Sequence, residues 1–385
     1  MHPSVVYAAP RSTLALAIES AASMLTNYLT LGRSGLRVSP FCLGTMTFGE
    51  EWGMGSTVEE SNRVLAAYLE RGGNFLDTAN GYTKGHSEAI IGDYFATGPG
   101  KGRRDRVVIA TKFMSNMFPG DPNGGGAGRK ALLAACEESL RRLRTDSIDL
   151  YWAHFWDKLT PIDEVMQTLD LLVKQGKVRY IGFSDHPAWV CVQAQYEAIF
   201  RNWTPLVALQ IEYSLLQRTV EADLMPMARA MGLGVTPWSP LRGGVLSGKY
   251  TRAARPAPAT VRVAADSKYL NEATYRLIDA MEEIARARDA SVAQIALRWV
   301  QDRPGVVSTI IGARTVAQLE DNLEALSIAL TPEETTRLDE LSMPVLPFPC
   351  EFLEMIRPAI QGGTTINGAA SSAWALSPKT AAERW

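Results

Sequence analysis

Apolar positions along the chain follow two periods in turn. Short β-branched or aromatic runs predict buried strands at Phe41–Leu43, Asn74–Leu76, Val107–Ala110, Ile148–Ala153, Val178–Phe183, Leu206–Ile211, Gly234–Pro237 and Ser308–Ile311. Between them, apolar residues three and four apart predict helices at Val58–Arg71, Glu88–Phe95, Lys130–Arg144, Ile162–Gln175, Ala188–Ile199, Glu221–Met231 and Tyr275–Arg288, with Val316–Leu326 after the last strand. Pro161, Pro187 and Pro332 stand where helices should begin, and Gly72, Gly176 and Gly232 where they should stop. Eight strands, each followed by a helix, predict an α/β fold of the (β/α)8 TIM-barrel type, not an open sheet. Leu29–Leu31 and Arg37–Ser39, flanking Gly32 and Gly35, predict an N-terminal β-hairpin that closes the barrel bottom.

Three stretches fall outside the repeat. Gly120–Gly128 predicts a flexible loop after the third strand, and Ser239–Asn271 a long connection after the seventh. Residues 343–385 form a Pro-rich, then Gly/Ala/Ser-rich tail, expected to fold over the substrate pocket. Residues 1–27 are expected to be a leader outside the fold, or to reflect a start placed upstream of Met24. The segment TLALAIESAASM lacks the basic start and unbroken apolar run of an export signal. The division expected is therefore 1–27 leader, 28–342 barrel and 343–385 tail.

Composition narrows the class. The 385 residues are 46% apolar and 21% charged, enough for a large core. The 39 basic and 41 acidic side chains leave a net charge of −2, which offers no field for nucleic acid or an anionic membrane. Four dispersed cysteines without CxxC spacing indicate neither a disulfide framework nor a zinc site. A cytoplasmic protein, monomer or homo-oligomer, acting on a small molecule is the expectation.

Barrel active sites assemble at the C-terminal ends of the strands. There the sequence places Asp77, Lys112, His154, Ser184, Gln210, Trp238 and Gly312 on strands two to eight, with Tyr82 in the loop after Asp77. Singly, each has an ordinary structural explanation; together they form one constellation. Only His154 of the four histidines ends a strand, so a multi-histidine metal cluster cannot be built. A phenol with a pKa near 10 gains as a proton donor from an adjacent cation. Lys112 would supply that charge, Asp77 would hold it, and His154 could orient the oxygen being protonated. Such a set gives a proton but no electrons, so carbonyl reduction would need a cofactor's hydride.

The blocks NFLDTANGY (74–82), IATKF (109–113), DLYWAH (149–154), YIGFSDH (180–186), LQIEYSL (209–215), TPWSPLRGGVLSGKY (236–250) and STIIGARTVAQLEDN (308–322) resemble the signature segments of the aldo-keto reductases, in order from about Tyr28 to Leu341. The resemblance is nearest to the bacterial and potassium-channel β-subunit-like branches. It implies NADPH as cofactor and reversible reduction of aldehydes or ketones, with Tyr82 as general acid supported by Asp77, Lys112 and His154. It further implies that Ser184, Asp185 and Gln210 hold the nicotinamide carboxamide and that Trp238 stacks on the ring. Ser239, Pro240, Leu241, Gly243 and Lys249 would follow the pyrophosphate. Gly312, Arg314, Gln318, Asp321 and Asn322 would meet the adenosine end, with Arg314 on the 2′-phosphate and helix-terminal amides favouring the anion. Thr45 and Met46 would touch the ribose or nicotinamide.

Asp185 departs from an Asn common in the family, and TKG follows Tyr82 where a Gly is usual. Trp52, Phe113, Phe155 and Trp156 are expected to line an apolar or aromatic substrate pocket. The alternative implied by the channel-subunit branch is an NADPH-binding regulatory protein with slow turnover.

Overall fold

The computed structural model describes residues 25–252 and 267–384. Residues 1–24 of the expected leader and 253–266 of the long connection lie outside the described residues. Leu25, expected in the leader, instead belongs to the core: it is buried and its amide donates to Arg71 O at 3.4 Å.

β1 (Leu29–Thr30) and β2 (Arg37–Val38) form the expected antiparallel hairpin. Eight parallel strands then make the barrel: β3 (Phe41–Gly44), β4 (Phe75–Asp77), β5 (Val108–Phe113), β6 (Ile148–Ala153), β7 (Val178–Ser184), β8 (Leu206–Glu212), β9 (Gly234–Trp238) and β10 (Thr309–Gly312). Their order is β10-β3-β4-β5-β6-β7-β8-β9. The ring is completed where Val235 on β9 donates to Gly305 O at 3.1 Å and accepts from Val307 N at 2.9 Å.

Successive strand residues point to opposite faces, so each strand sorts its own side chains. Cys42, Phe75, Val108, Ala110, Leu150, Trp152, Ala208 and Ile310 pack inside the barrel with Leu31 and Val38 of the hairpin. Leu43, Leu76, Ile109, Tyr151, Ile181, Leu209 and Ile311 pack outward against the helices. Extending the inward parity to the strand ends selects Asp77, Lys112, His154, Ser184, Gln210 and Trp238. The same alternation that builds the core thus delivers the polar groups to the mouth.

The helices are α1 (Val58–Glu70), α2 (His86–Ala96), α3 (Arg129–Leu143), α4 (Ile162–Lys174), α5 (Ala188–Arg201), α6 (Leu224–Met231), α7 (Glu272–Ala287), α8 (Val292–Gln301), α9 (Val316–Glu324), α10 (Pro332–Leu341) and α11 (Cys350–Gln361). Three exceed the sequence expectation. α8 is buried at Val292, Ala293, Ile295, Ala296, Leu297, Trp299 and Val300 and follows α7 with no strand between them, so a pattern of one helix after each strand leaves no place for it. Its start is fixed by a Ser291–Gln294 capping box. α10 begins at the anticipated Pro332, with Thr331 and Glu334 capping it. The tail contains α11 and a small hairpin of β11 (Thr365–Ile366) and β12 (Ala369–Ala370). α11 buries no side chain, and Cys350 Sγ lies 4.0 Å from Ala222 O near the start of α6.

Candidate active site

Lys112 is fully buried, the penultimate residue of β5. Its ammonium contacts the Asp77 carboxylate and donates to Thr78 O at 2.8 Å and to the Tyr82 hydroxyl at 3.0 Å. Burial disfavours the charge, but Asp77 and Tyr82 outweigh it and hold the amine above its ordinary pKa. The second carboxylate oxygen of Asp77 accepts from Gln210 Nε2 at 2.9 Å. Burial raises the Tyr82 phenol, while the adjacent ammonium pulls the other way.

Tyr82 opens a tight turn in which Thr83 (φ 45°) and Lys84 (φ 59°) are both left-handed. Such a conformation costs about 1–2 kcal/mol per non-glycine residue, so it needs support. Thr83 provides it: its hydroxyl donates to Phe48 O at 2.8 Å and accepts from Ser87 N at 3.0 Å. This is the structural form of the TKG departure. The His154 ring stands edge-on to Tyr82 with centroids 5.8 Å apart. Burial, and then the charge of Lys112, push its imidazole down to about 3, and its Nδ1 is buried without a hydrogen-bond partner. At neutral pH His154 is therefore uncharged.

The wall between β7 and β9 is pinned by Asp185. It adopts φ 50°, which an aspartate tolerates better than most residues, and its Oδ1 accepts from Trp238 Nε1 at 3.0 Å. Ser184 Oγ is 3.4 Å from its other oxygen. Asp185 keeps an exposed surface, yet the walls around its carboxyl strip away enough water to push it up to about 6 despite both hydrogen bonds. Ser239 leaves β9 in the left-handed region, Pro240 is buried, and Leu241, Gly243 and the exposed Lys249 continue along the loop.

Beyond β10, Gly312 is exposed with open space where a side chain would stand. Asn322 Nδ2 donates to Gly312 O at 3.2 Å, and Asp321 accepts from Gln294 Nε2 at 2.8 Å. The helix-terminal amides expected to favour an anion are partly committed. Arg314 N donates to Gln318 Oε1, Val316 N to Glu60 Oε1 and Gln318 N to Thr315 Oγ1. The half-buried side chain of Arg314 then carries the positive charge at this end.

Thr45 is fully buried and donates to Asp77 O at 3.0 Å, supporting the site from behind, with half-buried Met46 beside it in sequence. Of the four aromatic residues expected at the substrate pocket, two flank the reacting groups. Trp52 lies edge-on to Tyr82 with centroids 6.2 Å apart, and Phe155 is 5.1 Å from His154. Phe113 does not join them: one residue beyond inward-facing Lys112, it points outward, is fully buried and packs on Tyr151 at 5.0 Å. Trp156 pairs edge-on with Trp189 on α5 at 5.3 Å.

Sequence reasoning missed Arg242, which pairs with Glu212 at the end of β8 and stacks over Tyr269 at 4.0 Å. It also missed the contact between Glu51 and His86. Neither pair has a sequence signal beyond polar residues near strand ends.

Family comparison agrees with the geometry. The sequence pattern of the Aldo/keto reductase family matches residues 40–343, ending at the root of the tail. The chain belongs to the aldo/keto reductase family. It is 37% identical to a putative aryl-alcohol dehydrogenase of Saccharomyces cerevisiae, over 83% of this chain and 86% of the relative. It is 37% identical to norsolorinic acid reductase stcV of Emericella nidulans, over 83% and 82%. It is 35% identical to an aryl-alcohol dehydrogenase [NADP(+)] of Phanerodontia chrysosporium, over 80% and 83%. As an aldo/keto reductase with these relatives, it is an oxidoreductase of the carbonyl–alcohol type. No helix among the described residues is long and apolar enough to cross a membrane.

Proposed function

We propose that this aldo/keto reductase interconverts an aldehyde or ketone and its alcohol with NADPH, Tyr82 giving the proton during reduction. The observation that carries this reading is the 3.0 Å hydrogen bond from a buried, carboxylate-held ammonium to the Tyr82 hydroxyl. A half-buried phenol held above its ordinary pKa keeps its proton at rest, and the adjacent ammonium stabilises the phenolate left after transfer. His154 is the competing donor by position, but an imidazole pushed down to about 3 carries no spare proton at neutral pH. Its part is to orient the substrate oxygen beside Tyr82. Asp77 keeps Lys112 charged, and Gln210 keeps Asp77 in place.

The residues present fit a nicotinamide dinucleotide. The Trp238 indole, fixed by Asp185, offers a stacking face at the mouth. Gln210 spends its N–H on Asp77, which leaves its carbonyl oxygen to accept from a carboxamide, beside Ser184. Open space at Gly312 and the Arg314 charge suit the adenosine end. When bound, the reduced nicotinamide supplies the hydride. The name of the Phanerodontia relative supports NADP, and the names of several relatives, with Trp52 and Phe155 at the mouth, support aromatic substrates. The domain reading that goes with this is a barrel of 28–342, extended inward to Leu25, with a separate tail.

The test is steady-state loss of NADPH absorbance with a panel of aryl and alkyl aldehydes. Turnover is expected. Tight NADPH binding with no turnover on any carbonyl would overturn the reductase reading in favour of a binding protein.

A further inference from the structure

Residues 49–55, between β3 and α1, form a compact loop with a closed neck. Gly49 N donates to Ser56 O at 3.0 Å, and Ser56 N to Thr47 O at 2.8 Å. Gly55 packs so closely that a Cβ there would stand 1.7 Å from Gly49 O. The tip turns through a bond from Gly53 N to Glu50 O at 2.8 Å and presents Trp52, 40% exposed, beside Tyr82.

This loop is fastened twice, both times to the segment that carries Tyr82. At its root, Thr83 Oγ1 donates to Phe48 O. Near its tip, the Glu51 carboxylate meets Nδ1 of His86, the first residue of α2 and four residues after Tyr82. The second Glu51 oxygen, His86 Nδ1 and Thr83 Oγ1 also crowd one point. They lie 2.5, 3.2 and 3.2 Å from where a side chain on Gly49 (φ 97°) would begin. A glycine is required there, and a larger residue would push the two fastenings apart. Phe155 lies against His154, so Trp52 contacts Tyr82 while Phe155 contacts its neighbour His154.

We propose that Glu51 and His86 are positioning residues: their contact holds Trp52 as the wall against which an aromatic substrate ring packs while its carbonyl reaches Tyr82. The inference rests on the reductase reading and adds the device that selects a planar aromatic ring over a small alkyl group. With Trp52 6.2 Å from Tyr82, a benzaldehyde ring whose carbonyl reaches Tyr82 would pack against Trp52, whereas a short alkyl chain would gain little from it. The Glu51–His86 pair is about one-third exposed, so its individual contribution is modest and is felt through the placement of Trp52.

The experiment compares kcat/KM for benzaldehyde and propanal in the full chain with NADPH. Trp52→Ala is expected to lower the benzaldehyde-to-propanal ratio about tenfold, the size of one lost aromatic contact. Glu51→Ala and His86→Ala should each lower it about threefold, mainly through the benzaldehyde KM, and His86→Gln, which can still donate to Glu51, should restore most of it. In the Trp52→Ala background, Glu51→Ala should have no further effect on the ratio. Equal losses for both aldehydes, or a Glu51→Ala effect that persists without Trp52, would overturn the proposal. If wild type turned over neither aldehyde, the panel of carbonyls would decide the reductase reading separately. Calorimetric binding of benzyl alcohol to the NADPH-loaded protein would then decide the latch: about threefold weakening in Glu51→Ala supports it, and none overturns it.

Discussion

Gln210 on β8 donates its amide N–H to Asp77 on β4 across the full width of the barrel, at 2.9 Å. The two strands are four places apart in a ring of eight, so this bond spans opposite walls. It occupies the carboxylate oxygen that Lys112 leaves open, and the acid is held from both sides. Gln210→Leu removes the donor and leaves that oxygen buried without a partner. A loss of about 1–3 kcal/mol in urea unfolding is expected, together with weaker NADPH binding.

Tyr82→Phe keeps the ring and its packing but removes the proton donor. Reduction of any responsive aldehyde should fall by at least about a hundredfold, with NADPH affinity by fluorescence titration nearly intact. Wild-type turnover in this variant would exclude Tyr82 as the acid.

Lys112→Met replaces the buried ammonium with an apolar chain and strands the Asp77 carboxylate. Breaking one side of a buried ion pair costs about 3–5 kcal/mol, so denaturant unfolding should shift by that order and activity should vanish with it. A stable, fully active Lys112→Met protein would show that the pair serves neither folding nor chemistry.

Asp185 gives a pH signature. Its folded pKa of about 6 lies above the ordinary 3.8, so the folded state binds the proton more tightly than the unfolded chain. The burial cost is therefore present above about pH 6 and disappears as pH falls through 3.8. Asp185→Asn keeps an acceptor for Trp238 Nε1 and removes the charge. Because Asp185 keeps an exposed surface, solvent screens its charge, so the substitution should stabilise the cofactor-free protein at neutral pH by less than about 1 kcal/mol, the gain vanishing in acid. Thermal unfolding across pH reads this directly, and a gain that grows toward low pH would reverse the assignment.

Arg314→Ala should weaken NADPH by about 1–3 kcal/mol and NADH by much less, if the guanidinium meets the 2′-phosphate. Equal weakening of both cofactors in calorimetry would place the arginine elsewhere.

Much of the site was legible before any coordinates, because the barrel converts sequence parity into direction. Once β4 to β9 are recognised, the alternation that sends Leu76 and Ile109 outward sends Asp77 and Lys112 inward. The same rule excludes Phe113 from the pocket, where aromatic character alone suggested it belonged. α8 stayed hidden because it follows α7 directly, an extra helix that the alternation of one strand and one helix does not predict.

By itself, then, the sequence determined the strands, their order and which side chains face the mouth, since these depend on local period and chain direction. Beyond the Asp77–Lys112–Tyr82 grouping that the chemistry itself suggested, tertiary structure decided which side chains meet. Gln210 reaches Asp77 across a sequence separation of 133, Arg242 finds Glu212 and Tyr269, and Glu51 closes on His86. Each of these contacts depends on how the strands close and how the loops bend over the rim. Hydrogen bonds and ion pairs act over a few ångströms, and a spacing along the chain carries no such distance.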